Sequence, residues 1–144
     1  MAMKRNAPLS TLVLCLWFGS LWTICGIVVP GIFWLLGDTD KRLAGNVAAQ
    51  FFYLEVWLGA VLGVMYWLLR RHVMSRSTHL WLWAAIIAPL VFFAVLRPIM
   101  NALRAAGDLA RFGQMHGVAS LLFLIACVGV AVVAWRHLMP VKAA

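Results

Sequence analysis

The sequence predicts an all-α membrane protein, a bundle of four transmembrane helices that make up one domain over residues 1–144. Four stretches, 6–37, 56–69, 77–96 and 112–135, contain no Lys, Arg, Asp or Glu. Charged residues make up only 11% of the chain and hydrophobic residues 65%, which is far from the usual composition of a soluble domain. A helix needs roughly 20 residues to cross a hydrocarbon core of about 30 Å, and the uncharged stretches supply them.

The four spans are expected at residues 9–36, 47–70, 79–97 and 115–137. Two prolines fall inside them. Pro30 predicts a bend near the outer end of the first span, and Pro89 predicts a kink inside the third.

Short polar connections separate the spans. Segment 37–40 ends the first span, and Asp38 or Asp40 can cap the helix that follows, with Asn46 as another candidate. The connection 72–78 is short, so the second and third helices should be antiparallel neighbours. Segment 98–112 carries charged residues on one helical face. It is therefore either an amphipathic helix at the outer surface or an extension of the third helix into water.

The net charge of +8 indicates an orientation in the membrane rather than a nucleic-acid site. The positive-inside rule follows the numbers of Lys and Arg on the two sides of the bilayer. Seven basic residues lie on one side, namely Lys4, Arg5, Arg70, Arg71, Arg76, Arg136 and Lys142, and five on the other, namely Lys41, Arg42, Arg97, Arg104 and Arg111. This favours both termini in the cytoplasm of a bacterial inner membrane. Basic residues beside the spans meet anionic head groups, so membrane lipids are expected partners and nucleic acid is not.

The basic start of the chain also resembles the start of a signal peptide. The apolar run that follows is about twice as long as a signal-peptide core and has no small-x-small cleavage site. The first span is therefore expected to be an uncleaved anchor.

Glu55 is the one charged residue inside the apolar run 43–69. An isolated carboxylate in hydrocarbon is unfavourable, so Glu55 is expected to pair with a basic group, directly or through His116 or water. Arg97 is the first candidate. With the second helix starting near residue 47, Glu55 lies about 12 Å along it.

Polar residues from three helices are expected to meet Glu55 in the outer half of the bundle. The candidate binding cluster consists of Gln50, Glu55, Arg97, Asn101, Gln114 and His116. Three interpretations stay open. The cluster is a satisfied polar network that fixes helix register, or it lines an outward-facing cavity for a cation, a proton or a small polar solute. In the third, Glu55 is neutral and faces lipid near a head group.

Small residues spaced four apart are candidates for close helix contact in lipid. The sets are Gly59 and Gly63 on the second helix, Gly113 and Gly117 on the fourth, and Cys15, Gly19 and Thr23 on the first.

No catalytic residue, metal site or cofactor is expected. The chain has no G-x-S-x-G, HExxH or P-loop motif. His116 lies at the level of Cys25 and Met100, and these residue types are soft ligands that suit Cu(I). Its neighbour Met115 points about 100° away on a helix, so Met115 and His116 cannot easily bind the same ion. The other histidines fall on the opposite side of the membrane, which disfavours bis-histidine haem.

Several segments resemble the bacterial transmembrane domain family of unknown function that is similar to eukaryotic transmembrane protein 205. They are residues 26–33 with Pro30-Gly31, the pairs Ala44-Gly45, Phe51-Phe52 and Arg97-Pro98, and the segment 112–118, FGQMHGV. The resemblance covers roughly residues 12–130. It implies four helices, membrane residence and importance for Arg97, His116 and Gly117. The family usually has a serine soon after this last glycine, and here Ala119 precedes Ser120.

The sequence leaves three functions open. The first is a non-enzymatic accessory or scaffold subunit that acts in assembly, as a homo-oligomer or within a larger membrane complex. The second is a transporter of a small solute, a proton or a metal ion through the polar cluster. The third is a metal-handling or redox membrane protein.

Overall fold

A computed structural model describes residues 7–37 and 39–139 and contains four helices of 30 residues each. These are α1 (Ala7–Leu36), α2 (Lys41–Arg70), α3 (Arg76–Ala105) and α4 (Leu109–Leu138). Each is long and apolar enough to cross a membrane. No strand occurs among the described residues. The predicted all-α class with four membrane-length helices is confirmed, whereas Lys4, Arg5, Asp38 and Lys142 lie outside the described residues.

The chain divides into two compact units, residues 1–72 and 73–144. The first contains α1 and α2, which pack as a helical hairpin, and the second contains α3 and α4, which form another. The organisation of residues 1–144 as one domain stays a prediction.

Asp40 starts α2. Its side chain accepts hydrogen bonds from the backbone N–H groups of Arg42 and Leu43, each at 2.9 Å, as an N-cap does. Because of this cap, α2 begins at Lys41 rather than at residue 47.

The second connection ends at Ser75, which caps α3 by accepting a hydrogen bond from the N–H of Thr78 at 3.2 Å. The Thr78 hydroxyl also accepts a hydrogen bond of 3.4 Å from Arg136. The start of α3 is therefore joined to the end of α4.

The stretch 98–112 extends α3 and then turns. The helix continues to Ala105 and closes with Asp108 N–H donating to Leu103 O at 3.0 Å and Gly107 N–H donating to Arg104 O at 3.2 Å. Gly107 has a φ of 74°, the left-handed conformation that this type of helix end requires. The extension of the third helix is observed, and its exposure to water stays a prediction.

Two helices contain a π-helical turn just before a proline. In α1 the turn is Ile24–Val28, ahead of Pro30, and in α3 it is Phe92–Leu96, ahead of Pro98. A proline ring clashes with the carbonyl four residues earlier, and a wider turn relieves that clash. Pro89 lies inside the α-helical part of α3, so the departure from α geometry comes later than the predicted kink.

Each hairpin has its own apolar core. In the first, Val13, Leu14, Trp17 and Leu21 of α1 and Ala44, Val56, Leu62 and Tyr66 of α2 are buried. In the second, Leu82, Ala85 and Ile86 of α3 and Phe123, Ala126, Val130 and Val133 of α4 are buried. Close van der Waals packing of these side chains between the two helices holds each unit together.

Candidate functional site

The first unit contains a buried carboxyl group. Glu55 lies near the middle of α2, about 20 Å from either end, and is therefore deeper along its helix than a start at residue 47 implied. Only 2% of its surface is exposed. One oxygen, Oε1, lies 3.2 Å from the hydroxyl of Ser20 on α1. The other, Oε2, is buried and has no hydrogen-bond partner among the described residues.

Ser20 makes a second contact as well. Its hydroxyl donates to the backbone carbonyl of Trp17, one turn earlier on α1, at 3.1 Å. Ser20 therefore stands between the backbone of α1 and the carboxyl group of α2. This hydroxyl therefore provides a polar link between the two helices.

A glycine makes room for this arrangement. Gly59 lies one turn after Glu55, and a Cβ placed on it would be 2.9 Å from the indole Nε1 of Trp17 and 3.7 Å from Oε1 of Glu55. Trp17 is 2% exposed, so its ring is fixed in the contact between α1 and α2. Gly63, the next glycine along α2, is also buried. The carboxyl site consists of Trp17, Ser20, Glu55 and Gly59.

In the second unit, arginine side chains lie over aromatic rings in the outgoing part of α3 and at the start of α4. The Arg104 guanidinium lies 4.7 Å from the centre of the Phe112 ring, and that ring stacks on His116 with 6.3 Å between centroids and 14° between planes. Arg97 lies 5.3 Å from the ring centre of Phe93. A cation over an aromatic face is attracted by the ring quadrupole, so these contacts orient both arginines.

The predicted polar cluster is divided between the two units. Gln50 and Glu55 belong to the first, and Arg97, Asn101, Gln114 and His116 belong to the second. Glu55 is buried and Arg97 half-buried, whereas Gln50, Asn101, Gln114 and His116 are exposed. The pairing of Glu55 with Arg97, and the convergence of the six residues, stay predictions.

The glycines predicted for helix packing also differ from one another. Gly59 and Gly63 are buried, while Gly113 and Gly117 are exposed and a Cβ added at either meets nothing within 4 Å. The second unit instead uses Gly129, where an added Cβ would lie 2.9 Å from the Cβ of Ala85. Gly129 has no partner glycine at a spacing of four, so the small-residue pattern does not identify it.

Sequence reasoning also missed Ser20 and Trp17 as neighbours of Glu55. The first helix carries four hydroxyl residues, Ser10, Thr11, Ser20 and Thr23, and nothing in the apolar residues around them selects one. The only available signal was depth, since Ser20 and Glu55 both lie near the centre of their helices.

Among the described residues, no group of three or more His, Cys, Asp or Glu side chains is arranged to hold a metal ion. Cys15 is exposed, Cys25 half-buried and Cys127 buried, and all three are free thiols. Of the charged side chains described above, Glu55 is buried, Arg97 is half-buried and Arg104 is exposed.

The chain matches a known protein family. The model of the family described as "Domain of unknown function (DUF4149)" matches residues 12–109, which is more than half of the chain. The match includes Ser20, Glu55 and Arg97 and ends before the segment 112–118. No curated protein and no solved structure matches the chain.

Proposed function

We propose that this chain, which belongs to the DUF4149 family, is a non-enzymatic membrane protein that acts in assembly, as an accessory or scaffold subunit. The observation that carries the proposal is the exposed face of α4. Gly113, Gly117 and Ser120 follow one another on it, and a Cβ at either glycine would meet open space.

An exposed stripe of small residues suits contact with another helix. In lipid, apolar side chains gain little by leaving acyl chains, so helices associate through close backbone approach and interhelical hydrogen bonds. The Ser120 hydroxyl already donates to His116 O of its own helix at 3.0 Å, and its oxygen can still accept a hydrogen bond. The first unit has a similar face, because Cys15, Gly19 and Gly26 of α1 are exposed. The assembly is a homo-oligomer or a larger membrane complex.

The test is to replace one small residue of the stripe by a large one. A Cβ added at Gly117 has nothing within 4 Å, so Gly117→Leu should leave the fold of the second unit intact. It should therefore reduce the size of the complex in native nanodiscs while the protein still folds. Leu124→Ile, also exposed on α4, is the matched control and should leave the size unchanged. A wild-type protein that is monomeric in native nanodiscs, or a complex that keeps its size in Gly117→Leu, contradicts the proposal.

The orientation is part of the same proposal. We place the protein in a bacterial inner membrane with both termini in the cytoplasm, supported by the excess of Lys and Arg on that side. The resemblance of segment 112–118 to relatives of transmembrane protein 205 supports membrane residence and defines no chemistry. Reporter fusions at each terminus test the orientation, and periplasmic activity at either end would refute it.

A second function is favoured by one observation, the buried carboxyl group with an unpartnered oxygen in the middle of α2. Acidic groups inside membrane helices often line ion or solute pathways. In this alternative the protein transports a small solute, a proton or a metal ion, using Glu55, Arg97 and His116. Flux into liposomes that is present in the wild type and lost in a folded Glu55→Gln protein supports transport, and equal leakage in both rules it out.

A further inference from the structure

The hydrogen bonds of the Ser20 hydroxyl indicate whether Glu55 carries a proton. The Ser20 hydroxyl lies 3.1 Å from Trp17 O and 3.2 Å from Glu55 Oε1. A hydroxyl has one hydrogen and two lone pairs. A backbone carbonyl can only accept a hydrogen bond, and so can an ionised carboxylate. If Glu55 were ionised, the single hydrogen of Ser20 would serve two acceptors, and one of the two contacts would have no hydrogen in it.

A proton on Glu55 satisfies both contacts. Oε1–H then donates to the Ser20 oxygen, and Ser20 donates its own hydrogen to Trp17 O. Serine in membrane helices commonly donates to a carbonyl one turn earlier, which is the second of these bonds. We propose that Glu55 and Ser20 form a proton-binding site in which the neutral carboxylic acid of Glu55 donates to Ser20 within the membrane.

The surroundings within the first unit favour the neutral acid. The unpartnered Oε2 is then a carbonyl oxygen, which is less unfavourable to bury without a hydrogen bond than a charged oxygen. The Ser20 hydroxyl contacts Glu55, and the Trp17 indole and Gly59 lie close to it, and none of these groups titrates near neutral pH. Residues 7–36 contain no charged side chain, and Glu55 is the only one in 43–69.

This site is independent of the assembly role proposed above. Its ligand is a proton, and binding it links α1 to α2 through two successive hydrogen bonds. Loss of the proton would leave a charge beside an apolar helix contact, so uptake and release are coupled to the fit between the two helices.

The chain offers an unusually direct measurement, because Glu55 is its only glutamate. Cell-free synthesis with glutamate labelled with ¹³C at the side-chain carboxyl places the label at this residue and keeps it off Gln50 and Gln114. Solid-state NMR in lipid bilayers at neutral pH should give one resonance in the position of a neutral carboxylic acid. Ser20→Ala should move that resonance, because the hydrogen bond is lost.

A resonance in the position of a carboxylate at neutral pH would overturn the proposal and would favour the ion pair with Arg97 that the sequence predicts. Chemical modification gives a second measurement. A hydrophobic carbodiimide adds to protonated carboxyl groups in lipid, so wild-type protein should gain the mass of one reagent on the peptide that contains residue 55. That gain should be lost in Glu55→Gln, and no modification of the wild type would count against the site.

Discussion

Gly129 on α4 lies directly against Ala85 on α3, where an added Cβ would be 2.9 Å from the Cβ of Ala85 and 2.9 Å from the backbone oxygen of Trp81. The neighbours are a methyl group and a backbone atom, and neither can turn aside as a long side chain can. The close approach of α3 and α4 therefore depends on the absence of a side chain at this position.

Gly129→Ala should destabilise the second unit, because the added methyl group forces the two helices apart. Overpacking of this kind typically costs about 1–3 kcal/mol. Unfolding in mixed micelles measures the change. Gly117→Ala is the matched control, since it makes the same substitution on the same helix in open space. Equal stability of the two variants would show that the contact is looser than described.

Gly59→Ala should destabilise the first unit through one identified atom. The added Cβ would lie 2.9 Å from Nε1 of the buried Trp17. We expect a loss of about 1–3 kcal/mol in the free energy of unfolding. In a Trp17→Phe background, where the indole nitrogen is gone, the same substitution should be less destabilising. A double-mutant cycle measures that difference, and simple additivity would mean that Trp17 is not the residue displaced.

Ser20→Ala should lower stability by about 1 kcal/mol, because the hydrogen bond between α1 and α2 is lost and Glu55 Oε1 remains buried. Ser120→Ala is the control, since the Ser120 hydroxyl is exposed and donates only to a carbonyl of its own helix. Its effect should be within a few tenths of a kcal/mol. The comparison fails if both serine variants lose stability equally.

Gly107→Ala should also be unfavourable, and for a different reason. Gly107 has a φ of 74°, and a residue with a Cβ pays about 1–2 kcal/mol to adopt the left-handed conformation. Ala at Gly113, which lies in α4 with open space around it, meets no such strain and should be tolerated. Thermal unfolding of the two variants should differ in this direction, and a Gly107→Ala protein as stable as the wild type would refute it.

Much of the fold follows from the sequence, because bilayer thickness and the cost of buried charge determine where helices of this length can be. Helix α2 begins before the expected span because its polar first turn is capped by Asp40, which is one of the caps that the sequence offers. The partner of Glu55 was missed because α1 is apolar on all sides, so no stripe of residues marks the face that meets α2. The packing role of Gly129 was not predicted, because its close neighbour is Ala85 on another helix. A spacing pattern within one helix does not show such a contact.

The widened turn at Phe92–Leu96 determines the direction in which the part of α3 after Leu96 points. It accommodates one more residue than an ordinary turn, and each residue of a helix advances the angle by about 100°. Without the extra residue, the helix after this turn would be rotated by about 100°, and Arg97, Asn101 and Arg104 would move together to a different side. The direction in which these three side chains point therefore depends on one inserted residue that precedes them. In a relative without that residue, the same polar side chains would contact different neighbours.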